Sequence, residues 1–289
     1  TFRRSLAVTA HYGDVVTLLD PGTETDWKEA RNRNLRIGFE LMLTPMLREL
    51  RGMLDLSCMT VTGKTLGQNI DDVPAAWPQD VVRPFKNPIY PNGAMAVLRG
   101  NLAPNGAIIK QAAAAQNLLQ HEGRAVVFSS LADLTARLDS PDLDVKADDI
   151  LVLQNAGPKG APGMPEAGYI PIPKKLLVAG VKDMVRISDA RMSGTAFGTI
   201  VLHISPESAE GGPLALVRSG DRIKLDTAGR RIDLLVDEAE LTKRRATLPK
   251  PPTGTGRRGY EKLYFDFVTQ AEDGCDFSFA MPERTKKLP

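Results

Sequence analysis

A glycine- and proline-rich loop at residues 157–166 is the first stretch of this sequence that could do chemistry. It follows an apolar run at 150–153 and carries a single carboxylate, Glu166. Glycines let backbone amides approach a ligand closely, and a loop after a strand can hold polar groups on a rigid scaffold. Carboxylate oxygens are the ligands that hard divalent cations prefer. Glu166 is therefore a candidate metal ligand.

A second polar turn, at 188–198, offers a hydroxyl group. Ser193 lies there in a Met-Ser-Gly tripeptide, with Thr195 two residues further on. The G-x-S-x-G pattern of serine hydrolases is not met, because Arg191 stands where the first glycine would be. None of the three histidines is adjacent in sequence. A serine of this kind would act in proton transfer if a metal or another cationic centre lowered its pKa.

Each of these loops alone is consistent with an ordinary connection between strands. Both lie within the single segment 151–204, and each comes directly after an apolar run. Two such loops in one segment favour a shared site. The sequence therefore predicts that Glu166 and Ser193 contribute to the same site.

The composition is that of a globular protein. The chain has 289 residues, 42% of them hydrophobic, which is enough to build one large domain or two modest ones. The net charge of +2 does not demand a nucleic-acid partner, and no apolar run is long enough for a membrane span. Cys58 and Cys275 stand alone without metal-type spacing, and the printed sequence does not open with a signal-peptide pattern. We expect a cytoplasmic protein.

A basic run at 243–258 is a possible contact for an anionic partner. It is interrupted by PPTGTG and lacks the interleaved aromatic side chains on which single-stranded nucleic acid would stack. The pattern favours a mobile, solvated linker.

Two regions with different residue patterns must position the candidate loops. Residues 1–80 are predicted to be mostly helical, and Thr44-Pro45 has the pattern of a helix start. Prolines then recur between 74 and 91, where neither a continuous helix nor a central strand tolerates them. The sequence therefore predicts a domain boundary here, with a second domain at 81–289.

Short strands and turns dominate the second predicted domain. Asn105-Gly106 is a strong turn dipeptide, Ser130 with Asp133 has the spacing of a helix cap, and 221–236 alternates as a hairpin does. The predicted fold class is mixed α/β. We expect a helical N-terminal segment, then a β-barrel-like domain with flanking helices and a helical C-terminal tail.

The chain also contains the segments TVTGKTL, AVLRGNLAPNGAIIK, GRAVVF, NAGPKGAPGMPEAG, SDARMSGTAFG, HISPESAEGGPLALVRSGD and RGYEKLYFDFVTQAEDGCDF. Together these segments resemble the C-terminal half of the dihydroxy-acid and sugar-acid dehydratase family, which includes phosphogluconate dehydratase. The resemblance runs from about Thr44 to Phe279. SDARMSG and the tail look most like the branch that acts on aldonic acids.

This resemblance implies a two-domain hydro-lyase that converts a 2,3-dihydroxy acid to a 2-keto acid with an iron–sulfur cluster and Mg²⁺. The family serine matches Ser193, which as an alkoxide would take the C2 proton. The family glutamate matches Glu166, a magnesium ligand, and Thr195 would lie close to the substrate. In the family, the cluster iron is the Lewis acid for the departing C3 hydroxyl. A homo-oligomer that binds a small-molecule acid, without nucleic-acid or membrane partners, is expected.

The sequence departs from the family pattern at several points. Members of the family are longer, and their cluster cysteines, other magnesium ligands and active-site lysine lie in an N-terminal region that does not match this chain. Neither Cys58 nor Cys275 stands at a cluster position, and Phe267 replaces a histidine that is usual in the sugar-acid branch. We expect the C-terminal half of a dehydratase, inactive alone. The alternative is a non-catalytic binding or assembly module that keeps the barrel.

Overall fold

A computed structural model describes residues 43–73, 83–88, 94–194 and 196–281. The chain divides into two compact units, Thr1–Asn92 and Gly93–Pro289. Thr195 and the predicted helical region before residue 43 lie outside the described residues. The predicted domain boundary near residue 80 stays a prediction.

Two short helices lie in the described part of the first unit: α1, Thr44–Glu49, and α2, Leu66–Asp71. The Thr65 side chain accepts a hydrogen bond from the backbone of Gln68, and the Gln68 side chain accepts one from the backbone of Thr65. This capping box satisfies two donors at the start of α2. A short 3-10 helix, Arg51–Met53, follows α1.

The second unit is built on one sheet. In the described part of the chain this sheet has eight strands in the order β1-β2-β6-β5-β4-β3-β7-β8. The neighbours from β3 to β6 are parallel, and the other pairs are antiparallel. The strands are β1 Ala96–Leu98, β2 Gly106–Ile109, β3 Gln120–Phe128, β4 Ile150–Leu153, β5 Arg186–Ser188, β6 Ile200–Ser205, β7 Arg222–Asp226 and β8 Arg231–Leu234.

The sheet is nearly closed into a barrel. Its edge strands are β1 and β8, and Arg99, directly after β1, pairs with Arg231 of β8. The amide of Arg99 donates to the carbonyl of Arg230 at 2.9 Å, and the amide of Ile232 donates to the carbonyl of Arg99 at 3.0 Å. These bonds pair groups that an open edge would leave exposed. The predicted mixed α/β, barrel-like fold is confirmed.

Two apolar cores lie on opposite faces of the sheet. Ile150 and Val152 of β4 belong to the cluster inside the barrel, and Leu151 and Leu153 belong to the outer cluster. Successive side chains of a strand point to opposite faces, so all four are buried. A strand covered on both faces reads as a continuous apolar run, which is why 150–153 has no alternation.

Helices flank the barrel, and side-chain caps mark the starts of two of them in the described part of the chain, at Ser130 and Asp237. The Ser130 side chain accepts a hydrogen bond from the amide of Asp133, as predicted for this cap. The predicted hairpin is β7 and β8. None of the helices in the described ranges is both long and apolar enough to cross a membrane. The described part of this unit contains the α-helices α3 Leu131–Arg137, α4 Lys174–Val178, α5 Glu238–Arg245 and α6 Gly259–Phe267. It also contains the 3-10 helices Gln111–Ala113, Gln116–Leu118, Ser208–Glu210, Pro213–Leu216 and Ala271–Asp273.

Part of the basic run at 243–258 is structured. Arg244 lies in α5 and is 9% exposed, and its guanidinium pairs with Asp221 at 2.5 Å and with Glu240 at 2.9 Å. The hydrogen bond with Asp221 raises the pKa of Arg244. The interpretation of this run as a mobile linker is wrong at Arg244, because this residue is buried in a helix and paired. The sequence pattern did not show the pair, since Asp221 is distant in sequence.

Candidate active site

The two candidate loops start at the same edge of the sheet. The glycine-rich loop (residues 154–173) follows β4, and the serine loop (residues 189–199) follows β5. Strands β4, β5 and β6 are parallel neighbours, so their carboxyl ends lie side by side. Loops after the carboxyl ends of parallel strands are the usual place for ligand-binding groups in α/β folds.

Arg191 joins the two loops. From the serine loop, its Nη1 donates to Oε1 of Glu166 at 2.8 Å and its Nε donates to the carbonyl of Met164 at 2.6 Å. Its own carbonyl accepts from the amide of Gly168 at 2.8 Å. The side chains of Arg191 and Glu166 remain 44% and 48% exposed. The loops that carry Glu166 and Ser193 are therefore in direct contact on a face that solvent reaches.

The contact between the loops lies over the outer face of β6. A Cβ added at Gly168 would be 2.9 Å from the carbonyl oxygen of Arg191 and would clash with Leu202. Leu202 alternates with Val201, which belongs to the core inside the barrel, so Leu202 faces outward. Half-buried His203 is the next residue, and burial, with a smaller effect of Arg191, lowers its pKa.

Lys110 holds the turn at Ser193. It follows β2, and its Nζ donates to the carbonyl of Gly194 at 2.6 Å. Within the turn, the amide of Ala196 donates to the carbonyl of Ser193 at 3.1 Å. The structure thus adds a second cation near this turn, because the Lys110 ammonium binds the carbonyl of the residue that follows Ser193. Thr195 lies outside the described residues.

A buried ion pair secures the far ends of both loops. Arg186 of β5 is 1% exposed, and its Nη2 donates to Oδ1 of Asp183 at 2.8 Å. Its Nη1 donates to the carbonyl of Tyr169, in the glycine-rich loop, at 2.9 Å. Oδ2 of Asp183 accepts from the amide of Thr199, in the serine loop, at 2.9 Å. Burial makes this network rigid, because each polar group has its partner inside the protein.

Two buried carboxylates that sequence reasoning missed lie close to both loops. Asp189 directly follows β5 and Glu207 comes two residues after β6, and each is 1% exposed. Burial raises the pKa of both groups, and for Glu207 the neighbouring Asp189 adds to the rise. The available signal was an acidic residue within two positions of the end of a buried strand.

The described residues fit the expected cofactors only in part. Glu166 suits one position of a magnesium site, because it is a half-exposed carboxylate, but it is paired with Arg191. Among the described residues, no group of three or more His, Cys, Asp or Glu side chains could hold a metal ion. Cys58 is exposed and Cys275 is half-buried, and a cluster needs three or four ligands. Iron–sulfur ligands are therefore not found in the described part of the chain.

Comparison with known proteins identifies the family. Residues 80–275 match the family model described as dihydroxy-acid/6-phosphogluconate dehydratase, C-terminal. This chain belongs to that family, and the resemblance found in the sequence is confirmed.

Several curated relatives carry dehydratase names. L-arabonate dehydratase of Azospirillum brasilense is 47% identical over 236 residues, which cover 80% of this chain and 40% of the relative. 6-Deoxy-6-sulfo-D-gluconate dehydratase of Pseudomonas putida is 46% identical over 249 residues, 83% of this chain and 43% of the relative. Dihydroxy-acid dehydratase of Methanothrix thermoacetophila is 40% identical over 233 residues, 79% of this chain and 42% of the relative. The chain thus spans less than half the length of these relatives.

Proposed function

We propose that this chain supplies the C-terminal part of a hydro-lyase that removes water from a 2,3-dihydroxy acid to give a 2-keto acid. The observation that carries the proposal is the Arg191 contact, which joins the loop of Ser193 to the loop of Glu166. The dehydratase names of the relatives support the same reaction class. Their greater length leaves room for further site residues elsewhere in such a polypeptide.

Ser193 is the proposed base. As an alkoxide it takes the proton from C2, and the C3 hydroxyl leaves as hydroxide. Return of the serine proton to the hydroxide gives one water and restores the alkoxide, and the enol tautomerises to the ketone. The ammonium of Lys110, bonded to the neighbouring carbonyl of Gly194, favours the alkoxide by offsetting its negative charge. Thr195 is proposed to contact the substrate beside it.

Glu166 is the proposed magnesium ligand of this chain. Its exposed carboxylate can exchange the guanidinium of Arg191 for a cation, since the pair is half open to solvent. When bound, Mg²⁺ and an iron–sulfur cluster would supply Lewis-acid chemistry for the departing hydroxyl. The ligands of the cluster are expected outside the described residues.

An aldonic acid is the proposed substrate class, and L-arabonate is the first compound to test, because a relative named for it is 47% identical. Phe267 is a reason to test a second compound, because it replaces a histidine that is usual in the sugar-acid branch. It is 40% exposed and its ring lies 5.2 Å from that of Phe279, so the end of α6 presents an apolar surface. An acid with an apolar substituent is the second compound to test.

The test is reconstitution. This chain is co-expressed with the N-terminal half of the Azospirillum brasilense relative, and the purified complex, called here the reconstituted enzyme, is assayed for keto acid from L-arabonate and from a branched dihydroxy acid. We expect iron, a visible charge-transfer band and turnover on at least one acid. A complex that forms and contains iron yet turns over neither acid contradicts the proposal.

The alternative function is a non-catalytic binding or assembly module. The ion pair between Glu166 and Arg191 favours it, because a carboxylate already neutralised needs no metal. Under this alternative the chain still binds the N-terminal half, but Glu166→Gln changes neither metal content nor activity. Loss of magnesium-dependent activity in Glu166→Gln favours the enzyme.

A further inference from the structure

Within the described residues, Asp189 and Glu207 are buried carboxyl groups without a cationic partner. Each is 1% exposed, and neither forms an ion pair within the described part of the chain. Burying a carboxylate is unfavourable, and burial raises the pKa of both groups. A residue that serves only packing would be better replaced by an apolar one. Their role therefore depends on which hydrogen-bond donors their carboxyl oxygens bind.

Glu207 binds the amides of the glycine-rich loop. Its Oε2 accepts from the amide of Lys159 at 2.9 Å and from that of Gly160 at 2.9 Å. Its Oε1 accepts from Nε2 of Gln270, in the C-terminal tail, at 2.7 Å. A Cβ at Gly157 would lie 2.7 Å from Oε2 of Glu207, so a glycine is needed for this approach. The loop amides are thus directed at a carboxylate of the same chain.

Asp189 connects the three strand ends. It is the first residue of the serine loop, and its Oδ1 accepts from the amide of Ala156, in the glycine-rich loop, at 2.9 Å. Its Oδ2 accepts from the amide of Ser208, after β6, at 2.8 Å. One side chain therefore links the segments after β4, β5 and β6. Each of its two oxygens accepts from a backbone amide, so a carboxamide at this position would lose one of the two links.

We propose that Asp189 and Glu207 are positioning residues that hold the glycine-rich loop and the serine loop in one geometry, and so set the position of Glu166 relative to Ser193. The effect of this positioning on catalysis rests on the proposed function, but the positioning of the two loops can be measured without activity. Neither residue touches substrate in the proposal. They act through the backbone that carries the reacting groups.

The first test is amide hydrogen exchange of the chain, followed by NMR. Glu207→Gln should speed exchange at Lys159 and Gly160 by about tenfold or more, because a carboxamide cannot offer acceptor oxygens to both the loop amides and Gln270. Exchange at Val152 and Ile187 in the core strands should not change. The matched control is Glu272→Gln, since Glu272 binds Asn105 and Ser205 and contacts neither loop amide.

Two results overturn the proposal. One is unchanged exchange at Lys159 and Gly160 in Glu207→Gln, and the other is an equal increase in the Glu272→Gln control. Asp189→Asn should in the same way release Ala156 and Ser208. If either variant fails to fold, the unmodified chain decides: the amide proton shifts of Lys159 and Gly160 should titrate above the ordinary glutamate pKa, and shifts that do not titrate there refute the assignment.

The second test uses the reconstituted enzyme. Glu207→Gln should displace the loop that carries Glu166, and so lower kcat and raise the Mg²⁺ concentration needed for half-maximal rate. The thermal midpoints of Glu207→Gln and the Glu272→Gln control should be close to each other. Equal kinetic losses in both variants would assign Glu207 a merely structural role. If the unmodified complex has no turnover, the proposed function fails, while the exchange data still decide the positioning.

Discussion

Ser193 sits on a turn whose backbone is held from outside the loop. Lys110 binds the carbonyl of the next residue, and Arg191 ties the start of the same loop to Glu166. A base must be held within reach of the proton that it takes, and small displacements reduce the rate strongly. The contacts around Ser193 are of the kind that provide this placement.

Ser193→Ala in the reconstituted enzyme should lower turnover by about 10²–10⁴-fold, the usual contribution of a general base. The visible absorbance of the cluster should stay, because the substitution removes a proton acceptor and no ligand. Ser140→Ala is the control, since the Ser140 hydroxyl accepts a bond from the amide of Asp142 on an exposed turn outside both loops. Retained turnover in Ser193→Ala would refute the role of this serine.

Lys110→Gln tests the charge beside Ser193. Glutamine keeps a donor for the carbonyl of Gly194 and removes the positive charge, so the alkoxide becomes harder to form. The rising limb of the pH profile of turnover should move to higher pH. Lys224→Gln, at an exposed lysine of β7, should leave the profile unchanged. If the pH profile of turnover does not move in Lys110→Gln, the charge of Lys110 has no effect on Ser193, and its role is only the contact with the backbone.

At the scale of elements, α3 shows how local chemistry anchors a helix next to the site. Asp133 accepts from the amide of Ser129 at 2.8 Å and pairs with Arg137 one turn later. The hydrogen bond with Arg137 is the largest of the effects that lower the pKa of Asp133 to about 2. Asn155 of the glycine-rich loop donates to the carbonyl of Ser129 at 3.0 Å, so the helix start also supports that loop.

Asp133→Asn should therefore destabilise the chain in a pH-dependent way. A lowered carboxyl pKa contributes stability that is present above the unfolded pKa and is lost as the pH falls through the folded pKa. We expect a loss of about 1 kcal/mol at pH 7, discounted because Arg137 is 43% exposed and solvent screens the pair.

Urea unfolding is the measurement for this substitution. The gap in unfolding free energy between the wild type and Asp133→Asn should stay constant well above the ordinary aspartate pKa of 3.8 and narrow as the pH falls from there towards about 2. Asp142→Asn, at a nearby exposed aspartate, is the control and should show no such gap. A gap that stays constant with pH would mean that the charge of Asp133 does not contribute.

At the scale of the whole molecule, the barrel needs only residues of the second unit. All eight strands and the closing bonds of Arg99 lie between Ala96 and Leu234. Both apolar cores are made from the second unit, and Leu241 of α5 completes the core inside the barrel. The barrel should therefore fold whether or not a cofactor is bound.

The 289-residue chain purified alone should be colourless and without dehydratase activity. A cluster takes three or four protein ligands, and the sequence holds two cysteines, Cys58 and Cys275. Circular dichroism should nonetheless show a folded protein. Iron and sulfide analysis with a keto-acid assay makes the measurement. A stoichiometric cluster with turnover would show that ligands exist in this chain where we expect none.

Much of the fold could be predicted from the sequence because its signals are local. Alternation marks the β7–β8 hairpin, the spacing of Ser130 and Asp133 marks the start of α3, and the apolar run at 150–153 marks a strand covered on both faces. Each signal depends on neighbours within a few residues, whose geometry is dictated by backbone periodicity and capping. Glu166 and Ser193 were located by the same means, as polar groups on loops after apolar runs.

Tertiary structure alone decided what surrounds those groups. The bond from Lys110 to the turn at Ser193, the pairing of Arg191 with Glu166 and the clamp of Glu207 on Lys159 join residues that are distant in sequence. Sequence periodicity carries no record of such pairs, because they form only when the folded sheet brings distant segments of the chain together. A glycine-rich loop predicts that its amides will approach an anion, but only the packing shows that the anion is a buried carboxylate of the same chain.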